Sequence, residues 1–556
     1  MKKKEEPQIP FFRREGVIPV LTLFFVFIIL ILSTRFTGRP PQIEEITPQI
    51  GLPGDVMVIK GRFFGNSRNG GEVKIGGVIA LPSDYVEWKN NQISVQIPDE
   101  AASGMVFVNT KNGRSNGSLF TNKSEIPIVK SGPAKPGEPF IQSVSPNSGS
   151  IGTLLTLSGI NFGLEQGASR VYFTWIEEKT GISTDINSKT DFTPAVNYDF
   201  DYESWTDREV KVRVPDGTSS GNMFLETDKG KSNSIYFEVK RSLGTKLFMD
   251  KRTYSIQYSV VVDNIKANPD NGLYIWMPKI QSSSAQRNIK LISQDPLPLF
   301  PDINGTSLFY FSNLHPGDSY KISENLIFER YAVKTDINPS RIKSRYDKSS
   351  RLYKHFTEPD PLVNSSNTRI KRLARSIAGK ERNPYRRARL VYNYVRRRLK
   401  QSAEPLRDLN EVIDKREGNS YNYAILFCAL NRALGIPSRP VGGIVIDKSR
   451  NSIRHFWAEF YIDGMGWLPV DPFLGDNNYV VPLSTEINPG TYFFGNLDNR
   501  HIAFSKGYVV LKQMNPNGRQ VKRAGRPDLQ NVHEEAVGNI YSYSTTWHNI
   551  EILGIY

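Results

Sequence analysis

Three side chains in the last third of the chain could do chemistry together. Ser420 follows Gly418-Asn419, where a loop gives way to an apolar stripe of Ala424, Phe427, Leu430 and Leu434, so it stands at the start of a helix. A nucleophile placed there gains from exposed N–H groups and the positive end of the helix dipole, which favour an anion and help hold an oxyanion. His455 opens a strand in which Phe456, Ala458 and Phe460 alternate with Trp457, Glu459 and Tyr461. Asp471 ends the next strand, after the turn Asp463-Gly464-Met465-Gly466. Hydroxyl, imidazole and carboxylate are residue types that attack amides when they meet. Each also has a plainer reading. Serine is a favoured helix N-cap, and a strand histidine is more often structural than catalytic. A thiol with a reference pKa of about 8.5 is readily ionised at a helix start, whereas a hydroxyl needs concerted proton removal. The one cysteine, Cys428, lies roughly 12 Å along the same helix at about 1.5 Å per residue, on its buried stripe, where a thiol is inert packing.

The surrounding sequence positions these residues. The run from Arg416 through Gly418-Asn419-Ser420 to Phe427, then Gly435-Ile436-Pro437-Ser438-Arg439, His455-Phe456-Trp457-Ala458-Glu459 and Gly466-Trp467-Leu468-Pro469-Val470-Asp471-Pro472 resembles the core of the transglutaminase-like superfamily. That family builds a papain-like site from Cys, His and Asp in that order. The resemblance puts His455 and Asp471 on the family's His and Asp, and Ser420 on its nucleophilic Cys. It implies that the two strands are neighbours, so that the carboxylate accepts from one imidazole nitrogen while the other faces the nucleophile. The stretch Tyr492 to His501 is similar to the closing part of the same core, with His501 structural. A looser resemblance extends upstream, where alternating strands over 245–340 look like the β-sandwich that precedes such cores in bacterial proteins. The core itself is expected over 341–512. Its first helix carries Ile370, Leu373, Ala374 and Ile377 on one side, and a second begins near Pro384 with Ala388, Val391, Tyr392 and Val395.

Residues 40–129 and 137–241 repeat one another. Pro48, Gly51, Gly54, Gly61, Phe64 and Gly65 recur 98 residues later as Pro146, Gly149, Gly152, Gly159, Phe162 and Gly163. Trp88, Val95, Pro98, Gly104, Gly113, Ser115 and Asn116 recur 117 residues later, so the second copy has gained nineteen residues before Trp205. Short alternating runs bounded by Gly, Pro and Asn mark each copy as an all-β sandwich. The glycine spacing resembles the IPT/TIG domain, an immunoglobulin-like fold used as a spacer or binding module. The glycines are expected to serve tight turns and positive φ.

Residues 16–34 form an uncharged run which, as a helix, would be roughly 28 Å long, enough to cross a bilayer, with the anchor expected over 17–34. Lys2, Lys3, Lys4, Arg13 and Arg14 precede it, so a short N-terminus, 1–16, is expected in the cytoplasm and the bulk in the periplasm or outside the cell. The expected fold class is therefore multidomain: an N-terminal transmembrane helix, two immunoglobulin-like β-sandwiches, a further β-sandwich and an α+β papain-like core. Residues 513–556 read as a C-terminal tail.

The formal charge of +15 is local. Residues 341–400 hold nineteen Lys or Arg against four acids, while the remainder carries 52 of each sign. Arg386, Arg387, Arg389, Arg396, Arg397 and Arg398 are candidates for an anion-binding face, with a solvated helix face as the even alternative. A domain outside the inner membrane makes nucleic acid a poor partner. An envelope protein, a peptide or an anionic polymer suits better. One cysteine allows neither an intramolecular disulfide nor a cysteine-cluster zinc site, and no cofactor or metal is expected. Two functions follow: a catalytically silent core that binds a partner through its old cleft and basic face, or an amide hydrolase or acyltransferase with Ser420 as nucleophile, His455 as base and Asp471 as orienter. A spacer whose core ends a stalk is a third.

Overall fold

The computed structural model describes residues 22–28, 38–125, 137–176, 191–343, 345–406, 408–476, 481, 483, 487–521 and 532–556. Of the membrane helix expected over 17–34, only 22–28 fall within the described residues, where they are helical; the rest, and the segment 1–16, lie outside them. Among the described residues no helix is long and apolar enough to cross a membrane. The chain divides into two compact units, 1–126 and 127–556.

The first unit holds the first repeat. A sheet in the order Gln42–Thr47, Val56–Arg62, Gln92–Gln96, Tyr85–Lys89 faces a second built on Ser118–Asn122, Gly104–Thr110 and Glu72–Ile75. Inward positions of both sheets (Met57, Ile59, Val73, Ile93, Val106, Phe120) make its core. The second repeat has the same strand order, with Asp191–Pro194 at the edge of its second sheet. The repeated glycines divide by cause. Gly54, Gly65, Gly152 and Gly163 have positive φ, as expected. Gly61 and Gly159 do not: a Cβ there would lie 2.0 and 2.1 Å from the carbonyl oxygens of Gln42 and Phe140, so close strand approach excludes a side chain.

The third β region is organised by one 35-residue strand, Gly244–Pro278. It pairs antiparallel with Tyr320–Ile337 along its first half and with Thr306–Ser312 near its end. The C-terminal segment is no separate tail. His533–Trp547 and Glu551–Ile555 pair with the same long strand, from Tyr254 to Trp276, and complete an eight-stranded sheet.

The α+β core centres on the helix Ser420–Ala433, almost every residue of which is buried. Helices Thr368–Ala378 and Pro384–Arg398 cover it on one side, where Ile370, Ala374, Ala388, Val391 and Val395 share its core. On the other side lies an antiparallel sheet in the order Gly466–Val470, Ser452–Ile462, Ser438–Ile446, His501–Lys506. That sheet is covered twice. Phe456, Ala458 and Phe460 face the helices, while Ile444, Ile446, Ile502 and Phe504 from its other strands join the core of the third β region.

The second repeat belongs to this same unit rather than to a free stalk. Ile151 bridges to Gly464 in the core hairpin. Arg439, with no exposed surface, donates Nε to Glu459 beside it (2.8 Å) and Nη1 to Asp199 of the repeat, under the ring of Trp467 at 3.9 Å. Lys246 donates to Asp216 of the repeat and to the Trp467 carbonyl.

Candidate functional site

The helix that carries Ser420 begins with a reciprocal cap. Asn419 Oδ1 accepts from the Asn422 N–H and Asn422 Oδ1 accepts from the Asn419 N–H, each at 3.3 Å. A Cβ on Gly418 would come within 2.6 Å of the Asn422 Cβ, which accounts for glycine before the cap. The N-cap is therefore Asn419, and the capping role available to Ser420 from sequence is already filled. Ser420 is the first helical residue, 7% exposed, and its Oγ accepts from the Phe456 N–H at 3.3 Å. Among the described residues this is its one hydrogen bond; none joins it to His455.

His455 lies inside the strand Ser452–Ile462 and Asp471 directly after Gly466–Val470, adjacent strands of the sheet. His455 Nε2 and Asp471 Oδ2 are 2.6 Å apart, both groups buried. The other carboxylate oxygen accepts from the Phe473 N–H (3.0 Å) and the Leu474 N–H (2.9 Å). Burial alone would raise the Asp471 pKa. His455 above all, with His501, outweighs it and holds the carboxyl well below its usual range. With Nε2 committed to Asp471, Nδ1 is the nitrogen left to act as base. The structure thus brings the three candidates to one place, with the imidazole–carboxylate contact formed and the serine contact not.

His501, read from sequence as structural, reaches the same carboxylate: its Nε2 lies 3.2 Å from Asp471 Oδ2 and its Nδ1 3.0 Å from Asp498 Oδ1. Desolvation would lower its pKa, but Asp498 and Asp471 prevail and push it up to about 9. Asp498 was not singled out from sequence. Its only signal there is the three-residue spacing to His501, which lets one oxygen accept from the Arg500 N–H (2.7 Å) and the ring together. His455, Asp471 and His501 also place three possible metal-ligand atoms within 4.8 Å of one another; Asp471 Oδ2 is hydrogen-bonded to Nε2 of both rings.

Cys428 is fully buried, and desolvation drives its thiol pKa far up, as inert packing requires. The arginine face is smaller than its sequence suggests. Arg387 donates Nε to the Glu381 carbonyl (2.6 Å), Arg389 lies over Phe494 (4.7 Å), and Arg396 is half-buried beside Tyr392. Arg386, Arg397 and Arg398 are exposed, with Lys371, Arg372 and Arg375 exposed on the neighbouring helix. A cavity of about 180 Å³ lies between the second repeat, the third β region and the core, walled in part by Asp199, Asp216, Arg439 and Trp457. Ser420, His455 and Asp471 do not line it, although the Trp457 ring stacks near His455 at 6.3 Å.

Comparison with known proteins places this geometry in a class. Residues 371–472 match the transglutaminase-like superfamily core, and residues 41–123 and 139–239 match the IPT/TIG domain. The chain therefore carries a transglutaminase-like core behind two IPT/TIG domains. Among individual proteins, it is 25% identical over 169 residues to an uncharacterized protein of Haemophilus influenzae, covering 24% of this chain and 46% of that one. It is 29% identical over 86 residues to a cyclomaltodextrin glucanotransferase of Paenibacillus macerans, covering 16% of this chain and 12% of that one. The chain thus spans less than half the length of either relative. Among solved structures, it resembles a candidate cysteine protease from Cytophaga hutchinsonii (TM-score 0.38, 16% identity, 56% of this chain and 93% of that one). It also resembles the periplasmic domain of TgpA from Pseudomonas aeruginosa (TM-score 0.23, 14% identity, 42% and 88%).

Proposed function

We propose that this is a membrane-anchored cell-envelope protein whose transglutaminase-like core has lost cysteine chemistry and binds a peptide, polymer or protein, held by its immunoglobulin-like modules. The family's Cys position is taken by Ser420. The observation that carries the reading is the bonding of that hydroxyl: Oγ accepts from the Phe456 N–H and, among the described residues, has no hydrogen bond to His455. A serine nucleophile needs that bond, because its hydroxyl is not ionised and must lose its proton as it attacks. The anchor is the uncharged run 17–34, and TgpA, whose solved domain is periplasmic, offers a parallel for the location. The exposed part of the basic surface, Arg386, Arg397 and Arg398 with Lys371, Arg372 and Arg375, suits an anionic envelope polymer or an acidic protein patch.

One observation favours a second reading, an active amide hydrolase or acyltransferase: the His455–Asp471 pair is already assembled at 2.6 Å. The two are separated by exposing the full chain to a fluorophosphonate probe and mapping adducts by mass spectrometry. The binding reading expects Ser420 unlabelled in folded protein. An adduct at Ser420 that disappears in His455→Ala overturns it in favour of catalysis.

A further inference from the structure

The cleft contains a group that the three-residue site does not use. His501 sits on the strand His501–Lys506, two strands from His455 in the sheet, with no exposed surface. Both of its ring nitrogens face carboxylate oxygens, Nδ1 toward Asp498 and Nε2 toward Asp471. A neutral imidazole has one N–H, so it can satisfy only one of them; the doubly protonated ring satisfies both. The carboxylate oxygen that receives His501 is the one that receives His455.

We propose that His501 is a positioning residue: held by Asp498 as an imidazolium, it fixes Asp471 and, through it, keeps His455 in the Nε2–H tautomer with Nδ1 free as a base. Asp471 is pinned at four points, two backbone N–H groups on Oδ1 and two imidazoles on Oδ2. Without His501, Oδ2 has only His455 to orient against. The charges that face His501 are Asp498 and Asp471, with the His455 ring at 5.5 Å; Arg330 donates to its backbone carbonyl and lies on the adjoining sheet. The upward shift of His501 to about 9 agrees with an imidazolium at neutral pH. This rests on the reading that the cleft keeps its base and carboxylate although its nucleophile has changed.

The test uses the full chain labelled with ring-¹⁵N histidine, in which only six histidines contribute. At pH 7 the expected spectrum shows one buried histidine with both ring nitrogens protonated, absent in His501→Gln, and a second held in the Nε2–H tautomer, absent in His455→Ala. Asp498→Asn is expected to strip the second proton from His501 at pH 7 and to mix the tautomers of His455. His501→Gln, which keeps a donor toward Asp471, is expected to preserve the tautomer better than His501→Leu, a contrast that mere packing would not produce. In a Ser420→Cys background, adding Asp498→Asn is expected to slow alkylation at position 420 by about tenfold, short of the 10²–10⁴ expected for removing a base outright. A singly protonated His501 at pH 7 overturns the inference, as does a His455 tautomer indifferent to both Asp498→Asn and His501→Leu. If Ser420→Cys is unreactive while the tautomer still responds, the inference stands and the retained-cleft reading fails.

Discussion

Placing a thiol at position 420 asks directly whether the cleft is prepared for a nucleophile. Ser420→Cys puts a thiol at the first residue of a helix whose N-cap is supplied by Asn419, so the substitution removes no capping bond. A thiol at its reference pKa of about 8.5 is about 3% ionised at pH 7. A helix N-terminus with an adjacent histidine brings such thiols to about 7.5 or lower, where about a quarter is thiolate, a gain of roughly eightfold. Burial works against this, since the position is 7% exposed. The expected result is that iodoacetamide modifies Ser420→Cys at pH 7 about eightfold faster than a free cysteine peptide, and that His455→Ala abolishes the excess. Cys428 supplies the control, being buried with its thiol pKa driven up, so unmodified protein should take up no label at neutral pH. The assay is a stopped time course read by intact mass. A rate at or below that of the free peptide in folded protein would refute the argument, because the helix start and His455–Asp471 would then not be acting on the position.

Further expectations concern the elements that hold the site. Arg439→Met leaves Asp199 and Glu459 without their shared cation and should cost about 3–5 kcal/mol, seen as a lower urea midpoint for the 127–556 unit of the full chain. Glu459 is held down to about 2 because Lys506 and Arg439 outweigh its burial, so its contribution is complete above pH 4.5 and is lost as the pH falls toward 2. His501 has the opposite sign: raised from 6.5 to about 9, it contributes fully below pH 6.5 and loses that contribution as the pH rises through 9. Urea midpoints should therefore be highest between about pH 4.5 and 6.5, with the alkaline decline flattened in His501→Gln. Asn419→Ala should cost about 1 kcal/mol from the cap alone, measured as an unfolding midpoint, whereas Ser420→Ala should cost less.

What the sequence discloses here tracks the distance between interacting residues. The repeats are plain because each glycine and tryptophan serves its own sandwich: Trp88 and Trp205 donate to the Phe64 and Phe162 carbonyls within the same module. The helices are plain because their stripes meet one shared core. The cap at 419–420 is ambiguous locally, since Asn and Ser are equally good N-caps and only Asn422, three residues on, completes the box with Asn419. The C-terminal strands looked like a tail because their partner, the strand 244–278, lies more than 250 residues earlier, and nothing within 533–556 names it. Arg439 is the extreme case. Its role depends on Asp199, 240 residues upstream, and a lone arginine at the start of the strand Ser438–Ile446 carries no mark of full burial.

The same network bears on how the modules are used. A buried guanidinium bridging two carboxylates is not a stabilising ornament: its partners are desolvated, and separating them would strand charges inside the protein. The second IPT/TIG domain, the third β region and the core must therefore move as one body, with Asp199 and Asp216 in the domain, Lys246 in the third β region, and Arg439 and Glu459 in the core. The first IPT/TIG domain has its own core and sits in a separate unit. Of two modules built from one repeat, the second is tied to the core by buried charge, while the first has a core of its own. Deleting residues 38–125 should leave the histidine tautomers of the cleft unchanged by ¹⁵N spectroscopy, whereas Asp199→Lys, which turns one arm of the Arg439 bridge repulsive, should unfold the core and not merely loosen its attachment.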